Sequence, residues 1–101
     1  MNESPIDGHK LQLIRESLEK YLFSDVRQTS DEQMRTHFTF NERPQRSEIV
    51  FHQQFLDISP NLDEIMEKSI IPLLIANPGK KILVGEMGIL TVEERDTNKL
   101  R

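Results

Sequence analysis

The residues whose types and spacing could do chemistry together are His37 and His52. His37 lies in the alternating run Met34-Arg35-Thr36-His37-Phe38-Thr39-Phe40. His52 lies in a second alternating stretch, Ser47 to Ile58, where Ile49, Phe51 and Phe55 fall in phase. Between the runs stands Pro44, suited to position i+1 of a type I turn. A hairpin centred on Pro44-Gln45 sets Phe40 opposite Ile49, Phe38 opposite Phe51, Met34 opposite Phe55 and His37 opposite His52. Opposed side chains in such a pair have Cβ atoms about 5 Å apart. Two imidazoles at that separation could share a metal ion, or repel each other once both are protonated. A metal site needs a third ligand, and this register brings no carboxylate beside the pair. The expectation is two half-exposed strand residues and no resident metal.

Arg43 and Arg46 flank the same turn, where a pair of guanidinium groups could grip a phosphate or an acidic partner. Other chemistry finds no support. Asp63, Glu64 and Glu67, and separately Asp31 and Glu32, stand where a helix N-terminus or solvent accounts for them. There is no G-x-S-x-G elbow and no phosphate-cradling glycine loop among only 4 glycines. The absence of cysteine excludes a disulfide scaffold, a thiolate metal site and a cysteine nucleophile. No catalytic residue and no cofactor is expected.

The elements that must position these residues follow from periodicity. Leu11, Ile14, Leu18, Tyr21 and Leu22 share one helical face, which predicts a helix over roughly residues 7–23. Residues 24–33 are polar and read as a loop. The two strands come next, with Met34, Phe38, Phe40, Ile49, Phe51 and Phe55 on one face, and Arg35, His37, Thr39, Val50, His52 and Gln54 on the other. A second helix is capped by Asn61, or by Ser59 with Pro60 at its first position, carries the stripe Leu62, Ile65, Met66, Ser69, Ile70, Leu73 and Leu74, should kink or lose its regularity at Pro72, and stops at Asn77-Pro78-Gly79. A closing hairpin joins Lys81-Ile82-Leu83-Val84-Gly85 to Gly88-Ile89-Leu90-Thr91-Val92. The fold class expected is therefore α+β in the order α-β-β-α-β-β, a four-stranded, mainly antiparallel sheet with two helices packed on one face. All 101 residues form a single domain, with residues 1–6 and 95–101 as frayed tails.

Charge narrows the partners. The formal net charge is −4 and no segment forms a basic stripe, so phosphate neutralisation gives little purchase on nucleic acid. The longest apolar run, from Ile70 to Ala76, is far short of the ~20 residues of a membrane span. Met1-Asn2-Glu3-Ser4-Pro5 has neither the basic start nor the apolar stretch of a signal peptide, so a cytoplasmic setting is expected. On the second helix, Ile71 and Ile75 widen the apolar stripe beyond one side. Either that helix is central or these two residues meet a second subunit. The reading is a small non-enzymatic interaction or regulatory protein, an acidic homodimer contacting another protein. Alternatives are a nucleic-acid-associated protein, and a metal or small-ligand binder through His37 and His52.

The nucleic-acid alternative rests partly on a resemblance. From Asn61 to Arg95 the chain runs through a helix, Asn77-Pro78-Gly79-Lys80-Lys81, Ile82-Leu83-Val84-Gly85, then Met87-Gly88-Ile89-Leu90-Thr91-Val92-Glu93-Glu94-Arg95. This resembles the second helix and first hairpin of the bacterial histone-like nucleoid proteins, where a G-F-G-x-F-x-V-x-x-R run follows an apolar strand. The resemblance implies association with DNA, and it requires a preceding helix over residues 47–58. Glu86 intrudes in the turn, and the family's basic arm has no counterpart here.

Overall fold

A computed structural model describes residues 8–21, 23–42, 45–58 and 61–94. The expected tails, 1–6 and 95–101, lie outside the described residues, as does Arg43. Helix α1 is Gly8–Lys20. Its stripe buries Ile14 and Leu18 completely, with Leu11, Leu13 and Tyr21 partly buried around them.

Strand β1, Ser24–Ser30, occupies what reads as a loop in sequence. Only Val26 of its seven residues is buried, so it has no alternating pattern to announce it. A bulge between Ser24 and Arg27, with Asp25 at φ 52°, bends its start. Strands β2, Thr36–Glu42, and β3, Gln45–Phe51, form the expected hairpin, but Glu42 pairs with Gln45. Phe38 therefore faces Ile49, Phe40 faces Ser47 and His37 faces Val50. A displacement of this kind leaves Phe38, Phe40, Ile49 and Phe51 on their expected face, so burial alone cannot choose between the two registers; Met34, expected on that face too, stands instead in the β1–β2 turn at φ 66° and is 61% exposed. The observed one puts small Ser47 opposite Phe40, whose ring stacks on Phe23 at 4.8 Å.

The expected strand Ser47–Ile58 ends early. After Phe51 the chain coils into α2, Gln53–Ile58. The reason is the adjacent pair Phe55 and Leu56, 4% and 1% exposed. In a strand they would point to opposite faces, whereas in a helix both reach the core. His52 makes the switch. Its N–H donates to the Val84 carbonyl at 3.0 Å, and its Nδ1 accepts from the Gln54 N–H at 3.1 Å, capping α2.

Helix α3 covers residues 62–76 as three contiguous segments, Leu62–Ile65, the π-turn Met66–Ile70, and Ile71–Ala76. The regular helix is interrupted one turn ahead of Pro72, the position where a proline removes a donor and crowds the carbonyl four residues back. The expected kink is thus taken up by a widened turn. Leu62, Met66, Ile70, Ile71 and Leu74 are buried.

Strand β4, Lys80–Val84, lies parallel to β3, since α2 and α3 carry the chain back across the sheet before it begins. Strand β5, Leu90–Glu94, returns antiparallel to β4. The result is a five-stranded mixed sheet in the order β1-β2-β3-β4-β5 with three helices, in place of four antiparallel strands and two helices. One face carries two apolar rows, Phe38-Ile49-Ile82-Val92 and Phe51-Val84-Leu90. Their buried members join Ile14, Leu18, Phe55, Leu56 and the buried residues of α3 in one core. Gly79 (φ 78°) fits beneath Gln45, whose Cγ would stand 2.9 Å from an added Cβ, and its N–H donates to the buried Ser47 Oγ at 2.9 Å. Among the described residues no helix is long and apolar enough to cross a membrane.

Candidate functional site

The face of the sheet away from the core is where the candidate chemistry gathers. Two cross-strand rows run over it: Arg27-Thr39-Glu48-Lys81-Glu93 and Thr29-His37-Val50-Leu83-Thr91. His37, in the second row, is bracketed by carboxylates. Its Nε2 lies 2.8 Å from Asp31 Oδ2 and its Nδ1 lies 2.6 Å from Glu48 Oε2. With a proton on each nitrogen the ring donates to both carboxylates; a neutral ring has only one N–H to give.

Asp31 is also the anchor of the β1–β2 turn. Its Oδ1 accepts from the Gln33 and Arg35 N–H groups, each at 2.9 Å, and its Oδ2 from Arg35 Nε at 2.7 Å. The hydrogen bond from His37 most of all, then those from the Arg35 backbone, its guanidinium and the Gln33 amide, outweigh the opposing effect of burial. Together they hold the Asp31 carboxyl well below the usual carboxylate range.

The three side chains form a line rather than a shell. The imidazole stands between the carboxylates and spends one nitrogen on each, so no single point is ringed by all three. Among the described residues no group of three His, Asp or Glu is placed to hold a metal ion. The expected His37–His52 pair does not form. His37 faces Val50, and His52 leaves the sheet to cap α2, with its Nε2 3.8 Å from Glu86 Oε1.

His52 instead lines a shallow hollow of about 260 Å³, together with Arg35, Val50, Leu83, Val84, Gly85, Ile89 and Thr91. Val50, only 2% exposed, belongs to this face and not to the main core.

Arg46 is occupied within the fold. Its Nη1 donates to Asn41 Oδ1 at 2.8 Å and to Asp25 Oδ2 at 3.1 Å, and its Nη2 to the Asp25 carbonyl at 2.9 Å and Thr39 Oγ1 at 3.0 Å. It ties the bulged start of β1 to the β2–β3 hairpin. The Asp25 carboxyl is held low, chiefly by its hydrogen bond from Arg27 and also by Arg46. Of the two helix residues expected to meet a partner, Ile71 is 1% exposed and part of the core, while Ile75 is 55% exposed. Both stand in the segment that follows the π-turn, one turn apart, and of the two only Ile75 reaches the surface.

No family model, no curated protein and no solved structure matches this chain. The resemblance to nucleoid proteins also meets a structural difference, since residues 47–51, five of the twelve that would have to be helix, belong to the central strand β3.

Sequence reasoning set Asp31 aside as a carboxylate that a helix N-terminus or solvent accounts for, and missed Glu48 and the edges of the sheet. The two edges differ. Strand β1 is polar, bulged and crossed by Arg46. Strand β5 carries Leu90 and Val92, and its preceding turn exposes Met87 and Ile89. The signal available in sequence was the spacing of Met87, Ile89 and Val92, more apolar residues than one short hairpin at a sheet edge can cover.

Proposed function

We propose that this chain is a small, non-enzymatic interaction or regulatory protein that works through protein–protein contacts as a homodimer. The observation that carries the reading is the apolar end of the β4–β5 hairpin. Met87 and Ile89 in the turn and Val92 on the strand that ends the sheet are 76%, 68% and 39% exposed. Exposed apolar side chains grouped on one element mark contact surfaces more often than those scattered singly. The polar groups of the neighbouring face, by contrast, are engaged with one another: Asp31 and Glu48 with His37, Asp25 with Arg46. Sedimentation velocity from about 1 μM to 1 mM, a range chosen to bracket weak association, tests the reading. A monomer–dimer shift with concentration is expected, and a monomer throughout overturns it.

A further inference from the structure

Resting on that reading, we infer that the free edge of β5 is the self-association surface: two copies pair β5 against β5 antiparallel about a two-fold axis at Thr91, joining their sheets into one. Among the described residues, β5 has a neighbour on one side only. The phase of its backbone is set by the Gly85 N–H, which donates to the Ile89 carbonyl at 3.0 Å, and by the Val84 carbonyl, which faces β3 to accept from His52. Bonding in an antiparallel ladder alternates. Thr91 and Glu93 therefore turn their backbone groups toward β4, and the N–H and C=O groups of Leu90, Val92 and Glu94 face outward. Such a row is a ready template for a further extended strand, which would replace water on every one of these groups.

The side chains select a second copy of this chain. Around Thr91 the pattern is self-complementary. A two-fold axis there sets Leu90 against Val92 of the second copy, Val92 against its Leu90, and Thr91 against its Thr91. The outward backbone groups of Leu90 and Val92 then bond reciprocally, as a two-fold interface requires. On the helix side, the row Phe38-Ile49-Ile82-Val92 runs on into the other copy's Leu90-Val84-Phe51, and the reverse holds for the second row. Apolar rows that stop at the edge of one copy are thereby continued in the next. Charge permits this arrangement. Glu93 falls opposite Ile89 and Glu94 opposite Gly88, so no carboxylate meets a carboxylate. Both glutamates are already paired within their own chain, Glu94 with Lys80 and Glu93 with Lys81 at 3.9 Å.

The chain contains no cysteine, so a single introduced thiol reports the axis directly. Thr91 facing itself is a non-hydrogen-bonded pair with Cα atoms ~4.5 Å apart, within disulfide reach. Under mild oxidant, in which two thiols give up two electrons and two protons to form the S–S bond, Thr91→Cys is expected to give covalent dimer faster than Val92→Cys or Glu93→Cys. Val92→Pro removes an outward N–H that has no partner among the described residues. It should leave the circular dichroism unchanged while weakening self-association at least about tenfold, from the loss of two interchain hydrogen bonds per dimer. If Val92→Pro does not fold, the cysteine comparison decides alone. A wild-type dimer with equal cross-linking at positions 91, 92 and 93 overturns the Thr91 axis and leaves the homodimer standing. A wild-type monomer with no cross-linking at any of the three overturns both.

Discussion

Two turns in this fold share one hydrogen-bond skeleton and differ in the residue at its most demanding position. In the β1–β2 turn Asp31 N–H donates to the Arg35 carbonyl and Met34 N–H to the Asp31 carbonyl; in the β4–β5 turn Gly85 N–H donates to Ile89 and Gly88 N–H to Gly85. The third loop residue is left-handed in both, Gly88 at φ 83° and Met34 at φ 66°. That is the position glycine normally fills in such hairpins. An L-residue there costs about 1–2 kcal/mol. Replacing it by glycine recovers that cost, less about 0.4–1 kcal/mol for the freer unfolded chain. Met34 is 61% exposed, so little packing is lost with its side chain. Met34→Gly should therefore stabilise the fold by about 0.5–1 kcal/mol, or about 2–8 °C in Tm for a domain of this size. Gly88→Ala should destabilise by a similar amount, and by conformation rather than collision, because its Cβ would meet Phe55 Cε1 at an ordinary 3.5 Å. Urea titrations followed by circular dichroism read both. A Met34→Gly protein less stable than wild type, or a Gly88→Ala protein equal to it, refutes the argument.

The Asp31 carboxyl is held low in the folded chain, so its contribution to stability is present above the unfolded value near ~3.9 and is lost as pH falls below it. Urea midpoints between about pH 7 and pH 3 should fall less steeply for Asp31→Asn than for wild type, and parallel curves would count against the assignment. Phe51, fully buried, meets Phe38 edge-on at 6.0 Å and stacks on Phe55 at 6.0 Å. Phe51→Ala should cost about 3–5 kcal/mol, enough to unfold much of the population at 37 °C as read by thermal melts. Gly79→Ala should cost more than about 1 kcal/mol through its left-handed φ, with a further steric part against Gln45. Adding Gln45→Ala, which removes the Cγ but keeps the Cβ at 3.1 Å, should recover only some of the steric part, and full recovery in the double variant would show that the backbone conformation is not the cause.

What was legible in the sequence is what one residue pattern decides by itself. The stripe of Ile14 and Leu18, the α3 stripe with its stop at Asn77-Pro78-Gly79, and the glycine-flanked final hairpin all stand in the structure. Within β2 and β3 the faces stand too, since alternation sets them; Met34 and Phe55, which share that parity, lie beyond the strands. The register of the hairpin does not follow from alternation, because Phe38 is buried equally well opposite Ile49 or Phe51. The polar site depends on that register: Glu48 reaches His37 only in the observed one, and Asp31 reaches it from a turn whose preceding strand has a single buried residue. The end of β3 was hidden because Ile49, Phe51 and Phe55 share strand parity, and only the neighbouring Leu56 requires a helix there. The parallel pairing of β3 with β4 depends on how a whole crossover folds back, which no local pattern contains.

The outer edge of β5, as the place where two copies meet, is open to amide hydrogen exchange read at single residues. Among the described residues of one copy, the N–H groups of Leu90, Val92 and Glu94 have no partner strand, while those of Thr91 and Glu93 face β4. As protein concentration rises, protection of Leu90 and Val92 should climb toward that of Thr91. If those two amides exchange at an unprotected rate at every concentration, with Thr91 protected throughout, the edge is bare and two copies do not meet there.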